Sequence, residues 1–142
     1  MARWGDNEVD LHRNEFWVMS HDPTSASIKL VWTDDTRRMT DDDFKHALEL
    51  FIGFAERHRT PNLYVDVRLF RKEMSPELGD WRAASIVPRY NASGIKKFAY
   101  VVPAPASPTS KSAAQRFDGE DFFTEYFISE ASAVAWLKSA AH

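Results

Sequence analysis

Residues 40–58, TDDDFKHALELFIGFAERH, read as one amphipathic helix with a defined start. Thr40 followed by Asp43 resembles a capping box, with Asp in the place of the more usual Glu. Asp41, Asp42 and Asp43 sit at the positive end of the helix dipole. Apolar residues then fall at 44, 47, 48, 51, 52 and 55, all on one helical face. Three consecutive carboxylates on a helix point in different directions, so cap chemistry explains the Asp run better than metal ligation does. The helix is followed by NLYVDVRLF (62–70), whose alternation sets Leu63, Val65, Val67 and Leu69 on one side of a strand. Tyr64, Asp66, Arg68 and Phe70 take the other side.

The same pattern of strands and helices extends in both directions. EFWVMS (15–20) and SIKLVWT (27–33), separated by the turn material HDPTSA, suggest an antiparallel hairpin. Ser75-Pro76 supplies a capping residue and a proline for the start of a second helix carrying Leu78, Trp81, Ala84 and Ser85. Pro88 is expected to kink or end that helix, and Gly94 to stop it. KKFAYVVP (96–103) is a further strand. The Pro- and Ser-rich run 103–112 reads as a loop, with a short helix over 110–117. DGED (118–121) turns the chain into a last strand, FTEYFI (123–128). Ser129 then caps a final helix that buries Ala133, Trp136 and Leu137. The expected order is β-β-α-β-α-β-α-β-α, an α/β fold built on a single mixed sheet with an N-terminal hairpin and helical crossovers. Residues 1–13 are expected to form a loose polar arm, and residues 14–140 a single domain.

A chain of 142 residues is long enough to bury a core without staples. It contains no cysteine, which excludes disulfides, thiol nucleophiles and Cys-based metal sites. The net charge of −3 argues against nucleic-acid binding, which needs a basic face. No stretch approaches the roughly 18 apolar residues of a membrane span, and the first residues lack the apolar core of a signal peptide. A cytoplasmic protein is the expectation. The five histidines form no pair at metal-ligand spacing, and no phosphate-binding or nucleophile motif is present. No metal, cofactor or catalytic constellation is therefore expected.

Three features carry the candidate functions. The turn RLFRKEMSP (68–76) lies where the strand 62–70 would deliver it to the carboxyl rim of the sheet, a common place for ligands. Arg68, Arg71 and Lys72, with Ser75 at the start of the next helix, suit an anionic or lipid-like small molecule. The alternative is a solvated basic loop in which Ser75 is only a cap. Asp66, mid-strand among valines, needs a partner such as Arg68, Arg82 or Arg89, and is otherwise a candidate acid or base. Trp17 and Val31 lie on hairpin faces that alternation does not assign to the helices, so they are candidates for contact with a protein partner or with a second copy in a homodimer. The alternative is that the N-terminal arm with Trp4 folds back over them.

The chain resembles the STAS fold of sulfate transporters and anti-sigma-factor antagonists, and within it a bacterial STAS-like group of small single-domain proteins of largely unknown function. LVWTDDTRRMTDDDF, VDVRLFRKEMSPELGDW, VPRYNASGIKKFAYVVP and YFISEASAVAWL carry the likeness, over roughly residues 15–139. The resemblance implies a non-enzymatic binding or regulatory module acting through protein contact or self-association. Anti-sigma antagonists of this fold carry a phosphorylated Ser at the start of the helix after the central strand, in an Asp-Ser-[Ser/Thr]-Gly-Leu motif. Ser75 occupies the corresponding place, but no Asp precedes it and Pro76 follows, so a phospho-switch is not implied.

Overall fold

The computed structural model describes residues 8–104 and 119–139. Within them a mixed sheet of six strands runs in sequence order. The strands are β1 (Val9–Arg13), β2 (Trp17–Asp22), β3 (Ser27–Trp32), β4 (Asn62–Asp66), β5 (Lys97–Val101) and β6 (Phe123–Phe127). β1, β2 and β3 pair antiparallel, and β3 through β6 pair parallel. The helices are α1 (Asp41–His58), α2 (Pro76–Trp81), α3 (Val87–Ala92) and α4 (Glu130–Lys138), with a 3-10 turn at Asp34–Arg38.

Register explains the layering. Leu63 lies between Ile28 and Phe98, and Val65 between Leu30 and Tyr100. These residues face α1, α2 and α3, whose Phe44, Phe51, Ile52, Leu78 and Tyr90 complete the larger core. Tyr64 and Ala99 point the other way and meet Ala133 and Leu137 of α4. β4 is buried along all 5 of its residues because both faces are covered.

Local chemistry fixes the ends of the helices. The capping box forms: Asp43 N donates to Thr40 Oγ1 at 3.1 Å, and Thr40 N donates to Asp43 Oδ2 at 3.0 Å. Ser129 caps α4 through Ser132 N. At the far end of α4 the Lys97 ammonium donates to the carbonyls of Trp136 (2.9 Å) and Ser139 (2.7 Å), satisfying groups that a helix end leaves open. Burial pushes the Lys97 pKa down. Asn62 Nδ2 donates to Ser25 O and Leu137 O, tying the start of β4 to the hairpin and to α4.

The structure departs from the sequence reading in four places. Residues 9–13, expected in a loose arm, form β1, so β2 is not an edge. Their polar composition, VDLHR, suits an outer strand, which is defended by charge. Trp17 is not a surface residue. It pairs with Trp32, its Nε1 donates to His12 Nδ1 of β1 at 2.9 Å, and only 1% of it is exposed. Val31, half-buried, borders the smaller core under α4. The strand expected over 62–70 stops at Asp66. The Asp66 carboxylate accepts from Arg68 N, and Phe70 N donates to Val67 O, so the backbone leaves the sheet in a turn. Finally, the helix does not end at Pro88, which lies within α3. A π turn at Arg82–Ile86 joins α2 to α3, with Val87 N–H donating to Arg82 O just before the proline. The wider turn absorbs the residue whose missing N–H and ring would break a regular ladder. The helix expected over 110–117 lies outside the described residues.

Where β4 ends is directly testable. Leu63 is fully buried, whereas Leu69, which simple alternation puts on the same face, is 47% exposed. Leu63→Ala should lower unfolding free energy by about 2–5 kcal/mol. Leu69→Ala should change it by no more than about 0.5 kcal/mol. Urea denaturation of both variants checks this, and comparable losses would put Leu69 back in the core.

Candidate functional site

The basic turn after β4 is occupied by internal bonds. Asp66 is 4% exposed, and its two carboxylate oxygens receive the Arg68 guanidinium, with Nη2 at 2.6 Å and Nε at 3.0 Å. Arg68 also reaches Glu130 at the start of α4, at 3.4 Å. Its hydrogen bonds to Asp66 hold the Arg68 pKa above its usual value. Asp66 thus pairs with Arg68 rather than with Arg82 or Arg89; Arg89 pairs with Glu56 at 2.9 Å. The Arg71 guanidinium turns back to the carbonyls of Arg68 and Phe70, while Arg71 N donates to the buried Thr36 Oγ1 at 2.8 Å. Lys72 Nζ bonds Asp41 at 2.8 Å and Met39 O at 3.2 Å, at the threshold of α1. Ser75 Oγ accepts from Leu78 N at 3.1 Å as a helix cap. The four residues Asp66, Arg68, Arg71 and Ser75 therefore form a clasp that fastens the turn, and none of them lines a described cavity.

What the clasp holds in place is a roof. Beneath the turn, between the sheet, α1 and the helical segment from Arg82 to α3, lies a cavity of about 200 Å³. The carboxyl ends of β3, β4 and β5 provide its floor with Trp32, Val65 and Tyr100. α1 adds Phe44, Leu48 and Phe51, and the roof adds Val67, Phe70 and Met74. Met74 is 44% exposed, which places it at the mouth. Trp32, Phe44 and Phe70 pack ring on ring along one wall, with centroids 5.1 to 6.2 Å apart.

One charged side chain, Arg82, enters this lining. It stands at the first residue of the π turn, its guanidinium carbon 5.7 Å from the Tyr90 ring and 5.9 Å from the Phe98 ring. Its Nη2 donates to Tyr100 Oη at 3.3 Å. Burial opposes its charge, but the phenols of Tyr100 and Tyr90 and the Glu120 carboxylate outweigh that and hold its pKa up. Tyr90 is wholly buried, and its Oη has no hydrogen-bond partner among the described residues. Burial pushes the Tyr90 pKa well up, so the phenol stays protonated. Arg82 and Tyr100 also border a second, more polar cleft of about 260 Å³, shared with Glu120 and Tyr126.

Sequence reasoning singled out the charged residues of this turn, whereas its apolar residues are the ones that face the cavity. Val67, Phe70 and Met74 reach the cavity; the basic residues beside them fasten the turn. Tyr90 was missed because the π turn inserts an extra residue, so the helical spacing from Leu78 no longer predicts which residues beyond it face the sheet; Arg82, four residues after Leu78, was passed over as a lining residue because it is charged. A second polar cluster was missed on the opposite face, where Lys29 lies 3.3 Å from Glu8 and 3.4 Å from Asp22 and sits over the Tyr64 ring. Burial there pushes the Glu8 pKa up. No helix among the described residues is long and apolar enough to cross a membrane.

No family model, curated protein or solved structure matches the chain.

If the turn is a clasp, its two ends are unequal. Arg68→Ala strands a buried carboxylate and should cost about 2–4 kcal/mol, below the usual toll of a broken interior pair because Arg68 is partly wet. Asp66→Ala leaves an arginine that can still reach Glu130 and solvent, and should cost less. Chemical denaturation of the two variants tests the order; a larger loss for Asp66→Ala would sink it.

Proposed function

We propose that this chain is a non-enzymatic, STAS-like binding module that holds a small, largely apolar molecule in the cavity beneath the 67–74 turn. The observation that carries the reading is the apolar lining of that cavity at the carboxyl ends of parallel strands. A void of this size lined by hydrophobic side chains forfeits dispersion contacts, and in open sheets ligands favour this end of the strands. The clasp supports the reading because it spends three charged residues to hold a roof over space that denser packing would fill. The exposed Met74, part of the lining, gives the roof an apolar outer edge.

Self-association through the hairpin is the weaker reading. Its proposed anchor, Trp17, is under β1 and α1, where it cannot meet a partner. An acid or base role for Asp66 is weaker again, because that carboxylate is engaged by Arg68 and borders no described cavity.

The test is titration with a neutral ring compound, 3-phenylpropanol, followed by amide chemical shifts. Shifts should concentrate at residues 44–51, 65–74 and 98–100 and should saturate. Val67→Trp, at the half-exposed mouth, should keep the fold and lose the binding at least tenfold. Unsaturable or scattered shifts would remove the reading.

A further inference from the structure

The cavity contains one feature that an apolar ligand alone leaves unexplained. A guanidinium is costly to desolvate and is seldom buried unpaired. Arg82 is partly buried, at the boundary with the polar cleft, and forms no ion pair among the described residues. It rests on the faces of Tyr90 and Phe98 and donates to the neutral hydroxyl of Tyr100. Arginine carries five N–H donors in a planar fork, and the single bond to Tyr100 leaves most of them uncommitted. Beside it the buried hydroxyl of Tyr90, also a lining residue, has no hydrogen-bond partner within 3.5 Å among the described residues, with the Arg82 side chain close by. Arg82 and Tyr90 thus lie side by side at the end of an otherwise hydrocarbon lining, where the cavity adjoins the polar cleft. That end coincides with the π turn, a helix irregularity often found at functional sites.

Building on the cavity reading above, we propose that the ligand is a small amphipathic monocarboxylate, its carboxylate held by Arg82 and Tyr90 and its aryl or alkyl body lying among Trp32, Leu48 and Phe70. A carboxylate accepts the fork of an arginine in two parallel bonds, and each such charge-assisted bond is about twice as strong as a neutral one. It also gives the Tyr90 hydroxyl an acceptor. Charge argues for a monoanion. Among the described residues the cavity offers one cation, and the Glu120 carboxylate in the adjoining cleft would oppose the second charge of a phosphate monoester. Size argues for a short body. A hydrophobic cavity of ~150 Å³ holds benzene, so about 200 Å³ suits a ring with a short acid arm or a chain of about eight carbons.

Calorimetric titration at pH 7 with matched pairs tests this: 3-phenylpropionate against 3-phenylpropanol, and octanoate against octanol. Wild type should bind each acid at least tenfold more tightly than its alcohol. Arg82→Met should lose that preference, with acid binding weakened tenfold or more and alcohol binding kept within about threefold. Equal affinity of acid and alcohol in wild type would overturn the carboxylate assignment and leave the apolar cavity reading standing. Binding of neither would overturn both. Acid binding unchanged in a folded Arg82→Met would also overturn the assignment. The wild-type comparison needs no variant, so it decides the matter even if Arg82→Met does not fold.

Discussion

A strand buried on both faces dictates most of this molecule. β4 has no exposed residue, so each of its side chains must find a layer above or below the sheet. Leu63 and Val65 are met by α1 and by the helix running from α2 to α3. Tyr64 is met by α4, and its hydroxyl carries the cost of that burial without a partner among the described residues. Asn62 and Asp66, the polar residues at the two ends, satisfy their hydrogen bonds differently. Asn62 donates to backbone carbonyls of the hairpin and of α4, and Asp66 is met by Arg68. Because desolvating an amide or a carboxylate is expensive unless it is compensated, these partners position the neighbouring elements as well as stabilising the strand.

The turn leaving β4 shows how charge can be used for construction. Three basic residues in five positions look like a surface prepared for an anion. In the folded chain they are consumed: Arg68 by Asp66, Arg71 by backbone carbonyls, and Lys72 by Asp41 and the last carbonyl before α1. An exposed ion pair contributes little, about 0–1 kcal/mol, but Asp66 and Lys72 are largely out of water, and these contacts hold a turn that has left the sheet. The benefit is geometric. With the turn fixed, Val67, Phe70 and Met74 stand over a cavity they would otherwise collapse into.

How legible this was in the sequence differed by element. α1 was readable to its cap, because Thr40, Asp43 and an uninterrupted apolar face act locally and agree with one another. The mixed sheet, the N-terminal hairpin and the helical crossovers were also readable, from alternation and turn residues. β1 was not, since an outer strand wetted on one side has no apolar signature. Alternation continued through Leu69, although the Asp66 side chain had already turned the backbone; periodicity registers side-chain type and is blind to a carboxylate capturing an amide two residues on. For the turn after β4, alternation and composition showed neither the internal bonds that engage its basic residues nor the apolar side chains that face the cavity. Trp17 was misassigned because which face of a hairpin is covered depends on β1 and on register, and both are long-range facts.

The π turn has an implication for how this molecule can vary. Successive residues of a regular helix are offset by about 100°. The wide turn at Arg82–Ile86 therefore works as a one-residue phase shift between the two helices it joins. A single-codon deletion there would leave the sheet and the clasp untouched, yet would swing Tyr90 away from Phe98 of β5 and change its position relative to Arg82. The chemistry at that end of the cavity is consequently encoded in chain length as much as in residue identity, and relatives that share every side chain of the lining but lack the extra residue would present a different interior.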